Sequence, residues 1–192
     1  MAKSDAMRAF ISIDLTETSR RSLVMLTDSL RLNASHGIRC VQPHGIHLTL
    51  RFLGSLLVRR LDAVIDAMAD AAENIPPFTL SIGGLDAFPS LSAPRVIWAG
   101  VEGNLILLRQ LQTRIEYGLE VRGFTKVPRP FAPHITLARV HRTLSTSSVK
   151  HIAGAVESAC SKPNLNFTVD RLSLIQSTLT AQGPTYKRRG QI

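Results

Sequence analysis

Apolar positions recur along this chain in two periods. In the second half of 8–14 (Arg-Ala-Phe-Ile-Ser-Ile-Asp) and along 46–53 they alternate with polar ones, the two-residue period of a strand. Leu23, Leu26 and Leu30 return at helical spacing behind Thr16 and Ser19, either of which could cap the helix. The same spacing predicts a helix over 56–73, stopped by Pro76-Pro77, another over 105–119 and another over 147–160. Strands are expected over 78–84, 95–101, 133–140, 166–176 and 186–188. Residues 88–94 and 127–131, rich in proline, read as loops. Strands and helices mix without strict alternation, which points to an α+β fold with antiparallel pairing.

Length and composition narrow this picture. At 192 residues and 44% hydrophobic, the chain suits one domain with a sizeable core. No apolar run reaches the roughly 18–20 residues that span a bilayer, and the N-terminus lacks an apolar signal core, so a cytoplasmic protein without a membrane segment is expected. Cys40 and Cys160 fit neither a disulfide framework nor a zinc site and read as reduced thiols. The net charge is +9, and 18 of the 23 basic residues are arginine, a balance that favours a polyanionic partner. No glycine-rich phosphate loop is present.

One short pattern occurs twice. His47-Leu48-Thr49-Leu50 and His134-Ile135-Thr136-Leu137 each follow a proline-containing approach in a strand-like segment. Because side chains alternate along a strand, each histidine shares a face with its threonine while the aliphatic residues turn to the other face. Two such strands side by side would present two imidazoles and two hydroxyls to one cleft. One histidine can take a proton from water while the other gives one to a leaving oxygen, since imidazole titrates near 6.5. The threonine hydroxyls can donate to phosphate oxygens where charge builds. His44 and His141 are the only further donors near by, too few for a zinc site, so no metal or cofactor is expected.

These motifs and their flanks resemble the bacterial RNA 2′,3′-cyclic phosphodiesterases, long called 2′-5′ RNA ligases (LigT-like), of the two-histidine (2H) phosphoesterase superfamily. The likeness runs through residues 8–15, 46–54, 94–101, 131–139 and 174–186, nearly the whole chain. It implies one bilobal domain over 1–192: two pseudo-symmetric lobes, each an antiparallel sheet with helices packed on its outer face, and an active-site cleft between them. It further implies metal-independent hydrolysis of 2′,3′-cyclic phosphate RNA ends to 2′-phosphomonoesters, with reversible ATP-independent 2′-5′ RNA ligation beside it. In that scheme His134 is the proton acceptor, His47 the proton donor, and Thr49 and Thr136 hold the phosphate. The expected partner is an RNA end and the expected state a monomer. The alternatives are a cyclic phosphodiesterase for a small nucleotide, such as an ADP-ribose cyclic phosphate, and a non-catalytic RNA-binding module. His44-Gly45 departs from the acidic residue and Asn usual at this place in the family.

Two arginines complete the expected site. Arg51 continues the alternation of His47 and Thr49, so it is expected in the cleft as a phosphate ligand. Arg139 matches the second motif, but strict alternation turns it away from His134 unless a bulge re-aims it. Phe52 and Phe131 could stack a nucleobase beside the cleft, with core packing the expectation for each, and Trp98 is expected in the core. Tyr186 with Arg188 could line the cleft, with a tail cluster the simpler reading, and His36, His141 and His151 are expected on the surface.

Overall fold

The structure, a computed structural model, describes residues 5–34, 37–159, 165–181 and 183–192. His36 and Cys160 lie outside these residues.

Among the described residues, nine antiparallel strands form one sheet. They are β1 (Ala6–Ile13), β2 (Ile38–Cys40), β3 (Leu48–Leu57), β4 (Phe78–Phe88), β5 (Val96–Gly103), β6 (His134–Val140), β7 (Asn166–Val169), β8 (Leu172–Thr180) and β9 (Gly183–Gln191). The spatial order is β7-β4-β5-β6-β3-β1-β8-β9, with β2 also paired to β6. The sheet is two halves, β7-β4-β5-β6 and β3-β1-β8-β9. They meet through a single register pair, Leu48 on β3 and Ile135 on β6. Each half carries a copy of the His-x-Thr motif on its innermost strand.

Four helices cover one face: α1 (Glu17–Asn33), α2 (Leu61–Ala72), α3 (Leu105–Val121) and α4 (Thr146–Ser158). α2 packs on α3, and the two lie against β8 and β3; α1 packs on α4 and against β6 and β2. The expected α+β architecture, with a helix pair behind each half, is the one observed. Thr16 is the residue that caps α1, accepting from the Ser19 N–H at 3.2 Å. Asn104 does the same for α3 with Leu107 N–H at 3.1 Å. Between helices and sheet lies one continuous apolar core holding Ile11, Ile13, Leu48, Leu50, Ile135 and Leu137 from the strands and Leu23, Met68, Ile115 and Val156 from the helices. Among the described residues, no helix is long and apolar enough to cross a membrane.

Several boundaries differ from the expectation. Leu56 and Leu57 end β3, paired with Met7 and Ala6, rather than opening α2; a 3-10 turn over Val58–Arg60 makes the transition. The stretch 166–176 divides into β7 and the start of β8, and β2 is an added strand too short for periodicity to reveal. His47 stands one residue ahead of β3, directly after the 3-10 turn Pro43–Gly45 and Ile46.

Leu48 and Ile135 are both fully buried and form the register pair that joins the half-sheets. Leu48→Ala is expected to lower unfolding stability by about 2–5 kcal/mol in urea denaturation. The same truncation at the exposed Met25 is expected to shift it by less than about 0.5 kcal/mol.

Candidate active site

The two motifs run antiparallel around the Leu48–Ile135 pair. Continuing that register one step each way sets His47 opposite Thr136 and Thr49 opposite His134. Each histidine therefore faces the other motif's threonine. Positions 47 and 134 are thereby diagonal across the crossing, where strand backbones typically lie roughly 7–8 Å apart. A cavity of about 520 Å³ opens on this face, lined by His47, Thr49, Thr136 and Arg139 among others. His134 is not among the lining residues; its ring has Phe88 edge-on at 5.0 Å and Trp98 at 6.2 Å. The aliphatic members of both motifs are buried on the helix side, as the alternation requires.

A β-bulge follows each motif, and the two bulges decide what else reaches the cleft. In β6 the register against β5 passes from Thr136–Trp98 to Ala138–Ile97, so Leu137 is an extra residue. Leu137 and Ala138 are then both buried, and Arg139 returns to the face of His134 and Thr136. In β3 the register against β1 passes from Thr49–Ser12 to Arg51–Ile11, so Leu50 is the extra residue. Here the same device turns Arg51 away. Its guanidinium is buried under α3, 3.2 Å from the Glu116 carboxylate, and donates to the Thr125 carbonyl. The position five residues after His47 is Phe52; five after His134 it is Arg139. Phe52 lies on the cleft face beside Phe10, 63% exposed, not in the core.

Each histidine is oriented from behind. Nδ1 of His134 lies 2.7 Å from the Ala132 carbonyl oxygen. A carbonyl only accepts, so Nδ1 carries the proton and Nε2 of the neutral ring keeps its lone pair. His47 is sandwiched: Phe10 stacks on it at 4.5 Å with an 18° interplanar angle, and Tyr186 meets it edge-on at 5.7 Å. Burial drives its pKa down from 6.5 to about 4. The Asp14 carboxylate, which the β1–β3 register sets beside His47, favours the charged ring; the Arg20 guanidinium opposes it, and a hydrogen bond with the Gly45 backbone favours it. Asp14 is itself held by Ser173 Oγ at 2.8 Å and Arg188 at 2.9 Å. Arg20 also clamps the turn before His47, donating to the Pro43 and Ile46 carbonyls. Gly45 permits the close approach of Tyr186, since a Cβ there would lie 2.9 Å from that ring. Burial pushes the Tyr186 phenol up, while the Arg139 guanidinium pulls against it.

Arg8, Arg39 and Arg139 line the cavity, and among the described residues no carboxylate does. Arg39 and Arg139 are directly opposite in the β2–β6 register, a like-charge pair that costs stability unless an anion sits between them. Thus His47, Thr49, Thr136 and Arg139 line one cleft; His134 stands two residues from Thr136 on β6 but is not among the lining residues, and Arg51 is turned away. Arg8, Arg39, Phe10 and Tyr186 join them unannounced by periodicity. Tyr186 belongs to β9 rather than to a tail cluster. His141 and His151 are exposed, as expected. Among the described residues, no three of His, Cys, Asp and Glu come together as metal donors.

The chain's sequence matches the model of the 2′-5′ RNA ligase superfamily over residues 20–180. It is 30% identical over 181 residues to the RNA 2′,3′-cyclic phosphodiesterase of Archaeoglobus fulgidus, covering 94% of this chain and 97% of that one. With the enzyme of the same name from Methanothermobacter thermautotrophicus it shares 29% identity over 94% of this chain and 95% of that one. The crystal structure of a Thermus thermophilus protein superposes with a TM-score of 0.78 at 28% identity, covering 97% of each chain.

Two outcomes follow from these placements. The depressed pKa of His47 means that the unfolded chain takes up the proton first. Its contribution is whole above pH 6.5, is lost as pH falls, and stops changing below about 4. An NMR titration of the ring should place its midpoint near 4, and His47→Asn should remove about 2–3 kcal/mol of the stability lost between pH 7 and 4. Arg51→Ala, which leaves the Glu116 carboxylate buried without its partner, should cost about 3–5 kcal/mol in urea unfolding, whereas Arg51→Met with Glu116→Leu should come close to wild type.

Proposed function

The chain belongs to the 2′-5′ RNA ligase superfamily, and on that footing we propose that it hydrolyses 2′,3′-cyclic phosphate ends of RNA to 2′-phosphomonoesters without a metal. The observation that supports this reading is the antiparallel crossing of the two motifs beside one cation-lined cleft, which His47, Thr49 and Thr136 line and next to which the register sets His134. The names borne by relatives about 30% identical over most of their length supply the substrate class.

In this mechanism the cyclic phosphate sits between the motifs. Thr49 and Thr136 donate to its non-bridging oxygens, and Arg139 balances the charge that grows there. His134 Nε2 takes a proton from water as the water oxygen bonds to phosphorus. The P–O3′ bond breaks, and His47 protonates O3′ as it leaves, so the product keeps its phosphate on O2′. The tautomer fixed by the Ala132 carbonyl supports the acceptor role of His134. Asp14 beside His47, held by Ser173 and Arg188, supports the donor role of His47. A substrate anion adds to the pull of Asp14 and raises the His47 pKa against the effect of burial. An RNA 5′-hydroxyl in place of water would join two ends by a 2′-5′ bond. We further infer a cytoplasmic monomer, since one chain supplies both motifs and Cys40 is a free thiol.

His47→Ala and His134→Ala should each lower turnover of a cyclic-phosphate oligonucleotide by about 10²–10⁴-fold, with EDTA leaving the wild-type rate unchanged. An aryl phosphodiester, whose leaving group needs no proton, separates the roles. His47→Ala should keep most of the wild-type rate on it and His134→Ala should not. The reverse pattern would exchange donor and acceptor, and turnover surviving both substitutions would remove the mechanism.

A further inference from the structure

Beyond Thr49 the outer edge of β3 has no strand beside it among the described residues, because β6 pairs with β3 only at Leu48. A second cavity, of about 530 Å³, lies along that edge. One wall is β3 from Arg51 to Leu57, and the other is the segment from Gly123 to Pro128. That segment is held in place by two arginines, Arg51 buried and Arg60 half-buried. Arg51 donates to the Thr125 carbonyl, and Arg60 donates to the Arg122 and Gly123 carbonyls while its guanidinium lies 3.8 Å over the Phe124 ring. The turned-away Arg51 is thus a tether for the wall of this groove.

The groove is continuous with the catalytic cleft: Phe52 and Gly54 line both. Gly54 sits at φ 66° after a second bulge at Leu53, and a Cβ there would meet nothing within 4 Å, so the backbone at the junction is open. Arg8, on the cleft face of β1 opposite Ser55, flanks the junction, and the exposed Lys126 stands on the far wall. Among the described residues, no carboxylate lines the groove. From Phe52 to Leu57 the edge runs for about 17 Å, longer than the terminal nucleotide needs.

We propose that this groove carries the RNA strand that leads up to the cyclic phosphate, with Phe52 as a face for a base at the junction and Lys126 and Arg8 meeting backbone phosphates. The proposal rests on the RNA-end reading above and deepens it. It assigns the asymmetry between the motifs: the side beyond His134 presents Arg139, and the side beyond His47 presents an aromatic ring and an open, positively lined channel. Bases stack on aromatic faces without sequence preference, and lysine meets phosphate as a point charge, so the track would be tolerant of sequence.

The experiment compares a mononucleoside 2′,3′-cyclic phosphate with an eight-nucleotide RNA ending in the same group, for wild type and Lys126→Glu. Wild type should show a KM at least several-fold lower for the octanucleotide. Lys126→Glu should erase most of that advantage at unchanged kcat, with the mononucleotide unaffected. The plot of log affinity against log salt for the octanucleotide should lose roughly 0.7–1 of its slope. Equal KM values for the two substrates in wild type, or a length advantage that survives Lys126→Glu, would overturn the proposal. An open edge that serves a peptide strand gives that same result. No turnover of either substrate would instead refute the RNA-end reading itself.

Discussion

The Leu48–Ile135 pair is the constraint on which the site depends. The β1 side and the β5 side of the sheet are each laced by long antiparallel ladders, and they touch through this one register pair. An antiparallel crossing has a local two-fold axis, so two copies of one motif centred there must present each histidine to the other copy's threonine. Both members are fully buried against the helices, so the pairing is held by the core rather than by groups in the cleft. The chemistry is thereby supported from behind, on rigid elements, while the cleft face remains free to bind an anion.

The near-symmetry of the motifs persists through the bulges and is broken by which side chain stands at each position after them. Both strands insert an extra aliphatic residue after the threonine, Leu50 in one and Leu137 in the other, and each insertion flips the residues that follow. On β6 the flip brings Arg139 into the cleft. On β3 it buries Arg51 against Glu116 and exposes Phe52. A buried arginine beside a carboxylate gives little net stability, because both charges must be stripped of water. What the pair accomplishes is positional. Burial raises the Glu116 pKa while Arg51 and the Val127 backbone hold it down, and Arg51 fastens the segment that follows α3.

His47 is poised between opposing effects. Phe10 and Tyr186 exclude water from its ring and favour the neutral form, while Asp14 and the Gly45 backbone favour the charged one. An imidazole held in that balance answers strongly to one added negative charge, and a phosphodiester is such a charge. Burial thus favours a neutral ring, and the proposed donor role calls on a bound anion to raise its pKa.

From the amino-acid order alone came the α+β class and the shared strand face of each histidine with its threonine. These rest on local periodicity, and a two-residue alternation repeated with the same aliphatic partners leaves few other arrangements. The family likeness reached further, to the paired half-sheets and the cleft. Only the tertiary structure decided the fate of Arg51 and Arg139. A bulge is a mismatch between neighbouring strands, and nothing in one strand's own sequence marks which leucine will be the extra one. Periodicity did not reveal Arg8, Arg39, Phe10 and Tyr186 as partners of the site, because cross-strand register brings them together from segments far apart in the chain.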